Sequence, residues 1–156
     1  MIYQVSQQTA ADIQASCIVV TLDQSGKLSD AASQLDEASQ GFISQRYEQG
    51  DISGKLAETL LLPAVAGVSA GRVLLVGTGK ATLKPASAQK VLAAIATLTS
   101  KIRGDIALAL TEMATDVLTE SWLAEQTAIA YASAQYRFTA TKSTADDDTK
   151  TPDSVI

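Results

Sequence analysis

The chain has 156 residues, 46% of them apolar but only 4% aromatic, and its 12 basic and 17 acidic side chains give a formal charge of −5. That length supports one ordinary domain with a real core, and an apolar share dominated by alanine implies closely pressed layers of helix and sheet. The acidic balance, without any basic cluster, argues against autonomous binding of nucleic acid, whose affinity comes mostly from neutralising phosphates.

Other classes are narrowed in the same way. The chain contains no histidine, so neither a zinc site of the usual kind nor a Ser/His or Cys/His pair is available. Its single cysteine, Cys17, cannot form an intrachain disulfide, and it lies in the apolar run Cys17-Ile18-Val19-Val20, which predicts a buried structural thiol. The start, Met1-Ile2-Tyr3-Gln4, lacks the basic-then-apolar layout of a signal peptide, and no apolar run approaches the ~20 residues that span a bilayer. A cytoplasmic location without membrane contact is expected.

In chain order, Ile2 to Val5 reads as an edge strand and Ala15 to Leu22 as a first buried strand ending at the turn residues Asp23, Ser25 and Gly26. From about Asp30 the period becomes helical. Leu35, Ala38, Phe42 and Ile43 share a face, and Gly50 offers a left-handed stop. Lys55 to Leu62, bounded by Gly54 and Pro63, predicts another strand. Arg72 to Val76, apolar from Val73 onward, predicts a central strand buried on both sides. The connector Ala64 to Gly71 is too short for a crossover helix, so these two strands are expected to be antiparallel or to meet through a loop.

Pro85 suits the first turn of a helix, and Val91, Ile95, Leu98 and Ile102 form its apolar stripe up to Gly104. Asp105 to Thr111 alternates bulky and small residues as a strand would. Asp116 is a plausible cap for a helix carrying Leu118, Trp122, Ile129 and Ala132 to about Ala134, with Trp122 as a core anchor. Tyr136, Phe138 and Ala140 alternate in a last short strand. From Ser143 the composition turns polar and acidic, through Asp146-Asp147-Asp148, which predicts a linker over 143–156 after a domain at 1–142. Helices returning between strands give a three-layer α/β/α fold on a mixed sheet.

Three stretches invite a chemical reading. Gly77-Thr78-Gly79-Lys80 lies between a strand and a helix, where backbone N–H groups can cradle phosphate. The phosphate-loop spacing would require glycine at position 74, which is Leu74, and the dinucleotide fingerprint would require glycine or alanine at position 82, which is Thr82. A structural turn is the simpler reading. Asp51-Ile52-Ser53-Gly54-Lys55 reads as helix exit and strand entry. Asp146-Asp147-Asp148 is the only dense carboxylate cluster, but adjacent residues in a linker do not preorganise a metal shell. Glu112, Asp116, Glu120 and Glu125 read as helix-end and surface charges. No catalytic, cofactor-binding or metal-binding residue is assigned.

Leu35-Asp36 with Gly41, then Gly54-Lys55-Leu56-Ala57-Glu58-Thr59-Leu60, Arg72 through Lys80, and Tyr136-Arg137-Phe138-Thr139-Ala140-Thr141-Lys142-Ser143 occur in an order that resembles the N-terminal domain of the cytosol (leucyl) aminopeptidase family. One departure is Thr78, where the family's turn commonly has leucine. The resemblance implies a macro-domain-like, non-catalytic domain that packs on its own C-terminal catalytic domain and helps build a hexamer. It also implies that two divalent metals, manganese or zinc, and all catalytic residues belong to a missing catalytic domain beginning near Ile156, in a parent that removes N-terminal amino acids from peptides. Two alternatives stay open: a nucleotide or ADP-ribose binding module, prompted by the macro-like layout and the Gly77-Gly79 turn, and a DNA-binding accessory domain, which the resemblance implies through some bacterial members of the family.

Overall fold

A computed structural model describes residues 2–80, 82–141 and 152–156. The strands are β1 (Ile2–Tyr3), β2 (Cys17–Leu22), β3 (Thr59–Pro63), β4 (Arg72–Gly77), β5 (Gly104–Leu108) and β6 (Pro152–Val155). The helices are α1 (Asp30–Ala38), α2 (Phe42–Glu48), α3 (Pro85–Thr99) and α4 (Glu120–Thr141), with a short 3-10 turn at Thr111–Met113. The six strands form one sheet in the order β1-β6-β5-β2-β4-β3, parallel except for the antiparallel β3–β4 pair. This is the expected mixed sheet, including the antiparallel pairing across the short connector.

The alternation of side chains along the strands divides the core in two. Ile18, Val20, Leu22, Val73 and Leu75 pack with Ala32, Leu35 and Ile43 of α1 and α2 on one face. Cys17, Val19, Leu74, Val76 and Ile106 pack with Val91, Leu92 and Ile95 of α3, and with Leu123 of α4, on the other. All six residues of β2 are buried, as a strand covered on both sides must be. β4 is equally enclosed from Val73 onward but lies one place in from the β3 edge, so β2 rather than β4 is the more central strand.

Several boundaries differ from the sequence expectation. The helix expected from Asp30 to Gly50 is two helices, because Gln40 and Gly41 both take left-handed angles (φ 57° and 82°) and turn the chain. Gly50 does stop α2: its N–H bonds Tyr47 O at 3.0 Å, and Asp51 N bonds Arg46 O at 3.0 Å, the paired closure that a left-handed residue permits. β3 begins only at Thr59, because Lys55 to Glu58 forms a turn closed by Glu58 N to Lys55 O at 3.0 Å. β5 ends at Leu108 and gives way to the 3-10 turn.

The largest correction concerns the end of the chain. Tyr136 to Ala140 is not a strand; α4 runs on to Thr141, extending a buried i, i+4 seam of Leu123, Thr127 and Tyr131. Its cap is Thr119, whose hydroxyl accepts Trp122 N at 3.2 Å, rather than Asp116. Trp122 is half-buried against the core, as an anchor should be, whereas Ile129 is exposed. Of the stretch 143–156 expected as linker, residues 143–151 lie outside the described residues, while Pro152–Val155 form β6 inside the sheet.

Candidate functional site

Five of the six strands run in the same direction, so their carboxyl ends share one edge of the sheet. The loops leaving β2 and β4 there lead to helices on opposite faces, the arrangement that opens a crevice in α/β sheets. A cleft of about 820 Å³ opens here, bordered by Asp23, Lys27, Thr78, Lys80, Leu83 and Glu112. It is the place where the sequence proposed a phosphate cradle.

Three backbone N–H groups of the glycine turn, those of Gly77, Thr78 and Gly79, are committed within the chain. Gly77 N donates to Glu58 O at 2.8 Å, Thr78 N to Leu22 O at 2.9 Å, and Gly79 N to Gly54 O at 2.9 Å. Each is spent on fastening the turn to β2 and to the loop before β3. The loop lies so close that a Cβ on Gly77 would collide with the Lys55 carbonyl oxygen. Glycine is therefore required here for the approach of protein backbone, and the failed phosphate spacing has a structural counterpart.

The second anion-binding device at this edge, the amino end of α1, is also filled from within. The Glu112 carboxylate accepts Ala31 N at 2.8 Å through Oε1 and Asp30 N through Oε2, while Ser29 Oγ accepts Ala32 N at 3.2 Å. A carboxylate at the positive end of a helix is favourable, and it takes the position an external anion would occupy. The border of the cleft holds the carboxylates Asp23, Asp30 and Glu112 against the ammonium groups Lys27 and Lys80, so the balance of charge does not favour a polyanion.

Two further carboxylates shape the loops around the cleft. Asp23 Oδ1 accepts Ser25 Oγ at 2.6 Å, Ser25 N at 2.8 Å and Lys27 N at 3.0 Å. Glu58 Oε2 accepts Ser53 Oγ at 2.7 Å, Ser53 N at 3.0 Å and Lys55 N at 3.1 Å. The serine hydroxyl is the main cause holding each acid below its ordinary pKa, because these bonds favour the ionised form. Both groups act as loop staples.

Asp51-Ile52-Ser53-Gly54-Lys55 thus connects α2 to β3 and braces the glycine turn, as the structural reading of that stretch holds. Asp146, Asp147 and Asp148 lie outside the described residues. Among the described residues no three of His, Cys, Asp and Glu gather closely enough to hold a metal. Cys17 is fully buried, and that burial pushes its thiol up to about 11. Asp116 and Glu125 are exposed surface charges. The residue that sequence reasoning missed is Glu112: its bonding to α1 joins positions 82 and 81 residues apart, and only the glutamate itself was visible beforehand.

Comparison with known proteins adds to this geometry. The model of the cytosol aminopeptidase family, N-terminal domain, matches residues 19–145. A probable cytosol aminopeptidase of Methylobacillus flagellatus is 39% identical over 145 residues, covering 92% of this chain and 29% of that protein. One from Nitrosomonas europaea is 36% identical over 132 residues, covering 81% of this chain and 26% of its own length. The chain thus spans less than a third of the curated relatives it matches. Among solved structures, a tomato leucine aminopeptidase mutant superposes with a TM-score of 0.70 at 21% identity, over 99% of this chain and 32% of that one. The macrodomain of Mycobacterium tuberculosis DarG gives 0.65 at 15% identity, over 100% and 96% of the two chains. A Trypanosoma brucei macrodomain in complex with ADP-ribose gives 0.63 at 11%, over 98% and 62%. At these identities the structural matches establish the fold, a macro-domain-like α/β architecture.

Proposed function

Because the chain belongs to the cytosol aminopeptidase family, as its N-terminal domain, we propose that it is the non-catalytic part of a metal-dependent aminopeptidase, packing on a catalytic domain and supporting assembly of a hexamer. The parent would remove N-terminal amino acids from peptides in the cytoplasm, using two divalent metals, manganese or zinc, held by the catalytic domain. Residues 1–142 would form the body together with β6 (Pro152–Val155), which lies within the same sheet. Nucleic acid and membranes are not among the proposed partners. Among the described residues no helix is long and apolar enough to cross a bilayer.

The observation that carries this reading is the match of the family's N-terminal-domain model over residues 19–145, in a chain that spans under a third of its curated relatives. The N–H groups of Gly77, Thr78 and Gly79 and the amino end of α1 are bonded by the chain's own groups, which supports an architectural role for these strand ends. The test is to assay the purified 156-residue chain with leucine amide and added manganese or zinc. No turnover is expected, and robust metal-dependent turnover would overturn the proposal. In the parent protein, removing residues 1–142 is expected to lower the assembly state measured by sedimentation; an unchanged hexamer would remove the assembly role.

A second reading, a nucleotide or ADP-ribose binding module, draws on the macro-domain likeness and the volume of the cleft. Committed donors and a carboxylate-rich border weigh against it. A third, DNA binding, has the net charge of −5 against it, and a salt-dependent shift of duplex DNA on a gel would revive it.

A further inference from the structure

One border of the sheet, β3, is an edge strand without the usual defences. β1, at the far border, is only two residues long, whereas β3 has five, and no charged residue occurs from 59 to 71. Sheet edges are ordinarily blunted by charge, brevity or a covering segment, because their unpaired N–H and C=O groups accept another strand. Leu61 is 43% exposed on this edge.

The register says which backbone groups face outward. Gly77 N bonds Glu58 O at 2.8 Å and Ala64 N bonds Gly71 O at 3.1 Å, and bonded and non-bonded pairs alternate along an antiparallel ladder. Leu60 and Leu62 therefore exchange their bonds with Leu75 and Val73 of β4. Thr59, Leu61 and Pro63 direct theirs away from the sheet. Pro63 agrees with this assignment, since on the outer side its missing N–H costs the ladder nothing.

We propose that β3 pairs with β3 of a second copy of this chain, antiparallel about a two-fold axis at Leu61. The outward groups complement themselves in that register. Leu61 N–H and C=O bond their counterparts in the second copy, and Thr59 N–H of each copy donates to Pro63 O of the other. The absent proline N–H falls opposite Thr59 O, at the end of the paired segment, where water can serve that carbonyl.

The side chains fit the same register. Leu61 lies opposite Leu74, so on the α3/α4 face Leu74 and Leu61 meet their counterparts in one row. On the α1/α2 face Leu60, beside Leu75, meets Leu62 of the second copy, beside its Val73. Glu58 falls opposite Ala64, so no like charges are brought together. A second copy is favoured over an unrelated strand because this one register satisfies Thr59, Leu61 and Pro63 together, matches leucine to leucine on both faces, and closes after two chains.

The inference deepens the proposed assembly role by naming a two-fold contact, and it rests on that reading only for the contact's place in a hexamer. The dimer is tested on the 156-residue chain itself, so its failure and that of the hexamer are separately visible. So small a contact should hold weakly, with a Kd on the order of 0.1 mM. Sedimentation should give a mass near that of one chain at about 10 µM, rising toward that of two at about 1 mM. Over the same range the Thr59 and Leu61 amides should gain about fivefold protection from hydrogen exchange, while those of Leu60 and Leu62 are protected throughout. Leu61→Lys sets two ammonium groups face to face at an already exposed site; it should leave the thermal midpoint in dilute solution unchanged and abolish both effects. A mass that stays that of one chain at about 1 mM, exchange at Thr59 and Leu61 that ignores concentration, or association undiminished in Leu61→Lys would overturn the proposal.

Discussion

The two halves of the carboxyl edge show how similar strand ends acquire different roles. Between β2 and β4, the glycine turn is locked by Leu22, Gly54 and Glu58 carbonyls, and the end of α1 is capped by Glu112. Between β1 and β5, the edge borders apolar cavities on both faces and leaves Val5 in solvent. The closed half has the outline of a ligand site, but the N–H groups of Gly77, Thr78 and Gly79 and of the first turn of α1 are already bonded. The open half lacks any motif and is bordered mainly by apolar side chains. A glycine turn or a helix end thus binds a ligand only where its N–H groups remain uncommitted.

The largest effect expected from breaking the closed half is that of Gly77→Ala, which drives a methyl into the loop carrying Lys55. A loss of about 3 kcal/mol in urea unfolding is expected; a loss under about 1 kcal/mol would mean that the loop does not seal the turn. Next, Glu112→Ala should cost about 1–2 kcal/mol by uncapping α1, and Glu112→Gln less, because it keeps an acceptor but not the charge. Equal losses for the two variants would show that charge plays no part.

The core beneath both halves supplies an internal reference through Cys17. Its folded thiol titrates near 11, above the ordinary value of 9.0 expected when unfolded, so the protonated thiol contributes stability that is full below about 9 and lost as pH rises through about 11. Unfolding midpoints between pH 8.5 and 10.5 should fall less steeply for Cys17→Ala than for the parent chain; parallel slopes would refute the assignment. The smallest effect belongs to the loop staples. Asp23 and Glu58 have lowered pKa values when folded, so their contribution is present above the ordinary carboxylate range and is lost as pH falls through the folded value. Glu58→Gln should shallow the acid limb of the stability curve slightly, and an unaltered limb would count against the Ser53 bonds.

What could be read in the sequence follows the range of the interactions. β2 and β4 are legible because contiguous Ile18-Val19-Val20 and Val73-Leu74-Leu75-Val76 leave few alternatives to a strand covered on both faces. The antiparallel β3–β4 pair follows from a connector too short to cross over. The break at Gln40-Gly41 was visible as a glycine but was outweighed by a helical stripe that continues through Phe42 and Ile43. β6 was hidden because Pro152–Val155 is short and polar, and its partners Ile2 and Gly104 lie far away in sequence. Five alternating residues at Tyr136 to Ala140 imitated a strand, where the seam set by Tyr131 and Thr127 prolonged a helix. At the cleft, spacing alone disqualified the phosphate motif, whereas the reason it can be dispensed with, the capping of α1 by Glu112, depends on tertiary contact.

The central claim is that the macro-domain-like cleft of this chain serves architecture and not nucleotide binding. Isothermal calorimetry of the 156-residue chain with ADP-ribose at millimolar concentration tests it most directly. The account predicts no saturable heat, and a saturable signal of defined stoichiometry would contradict it.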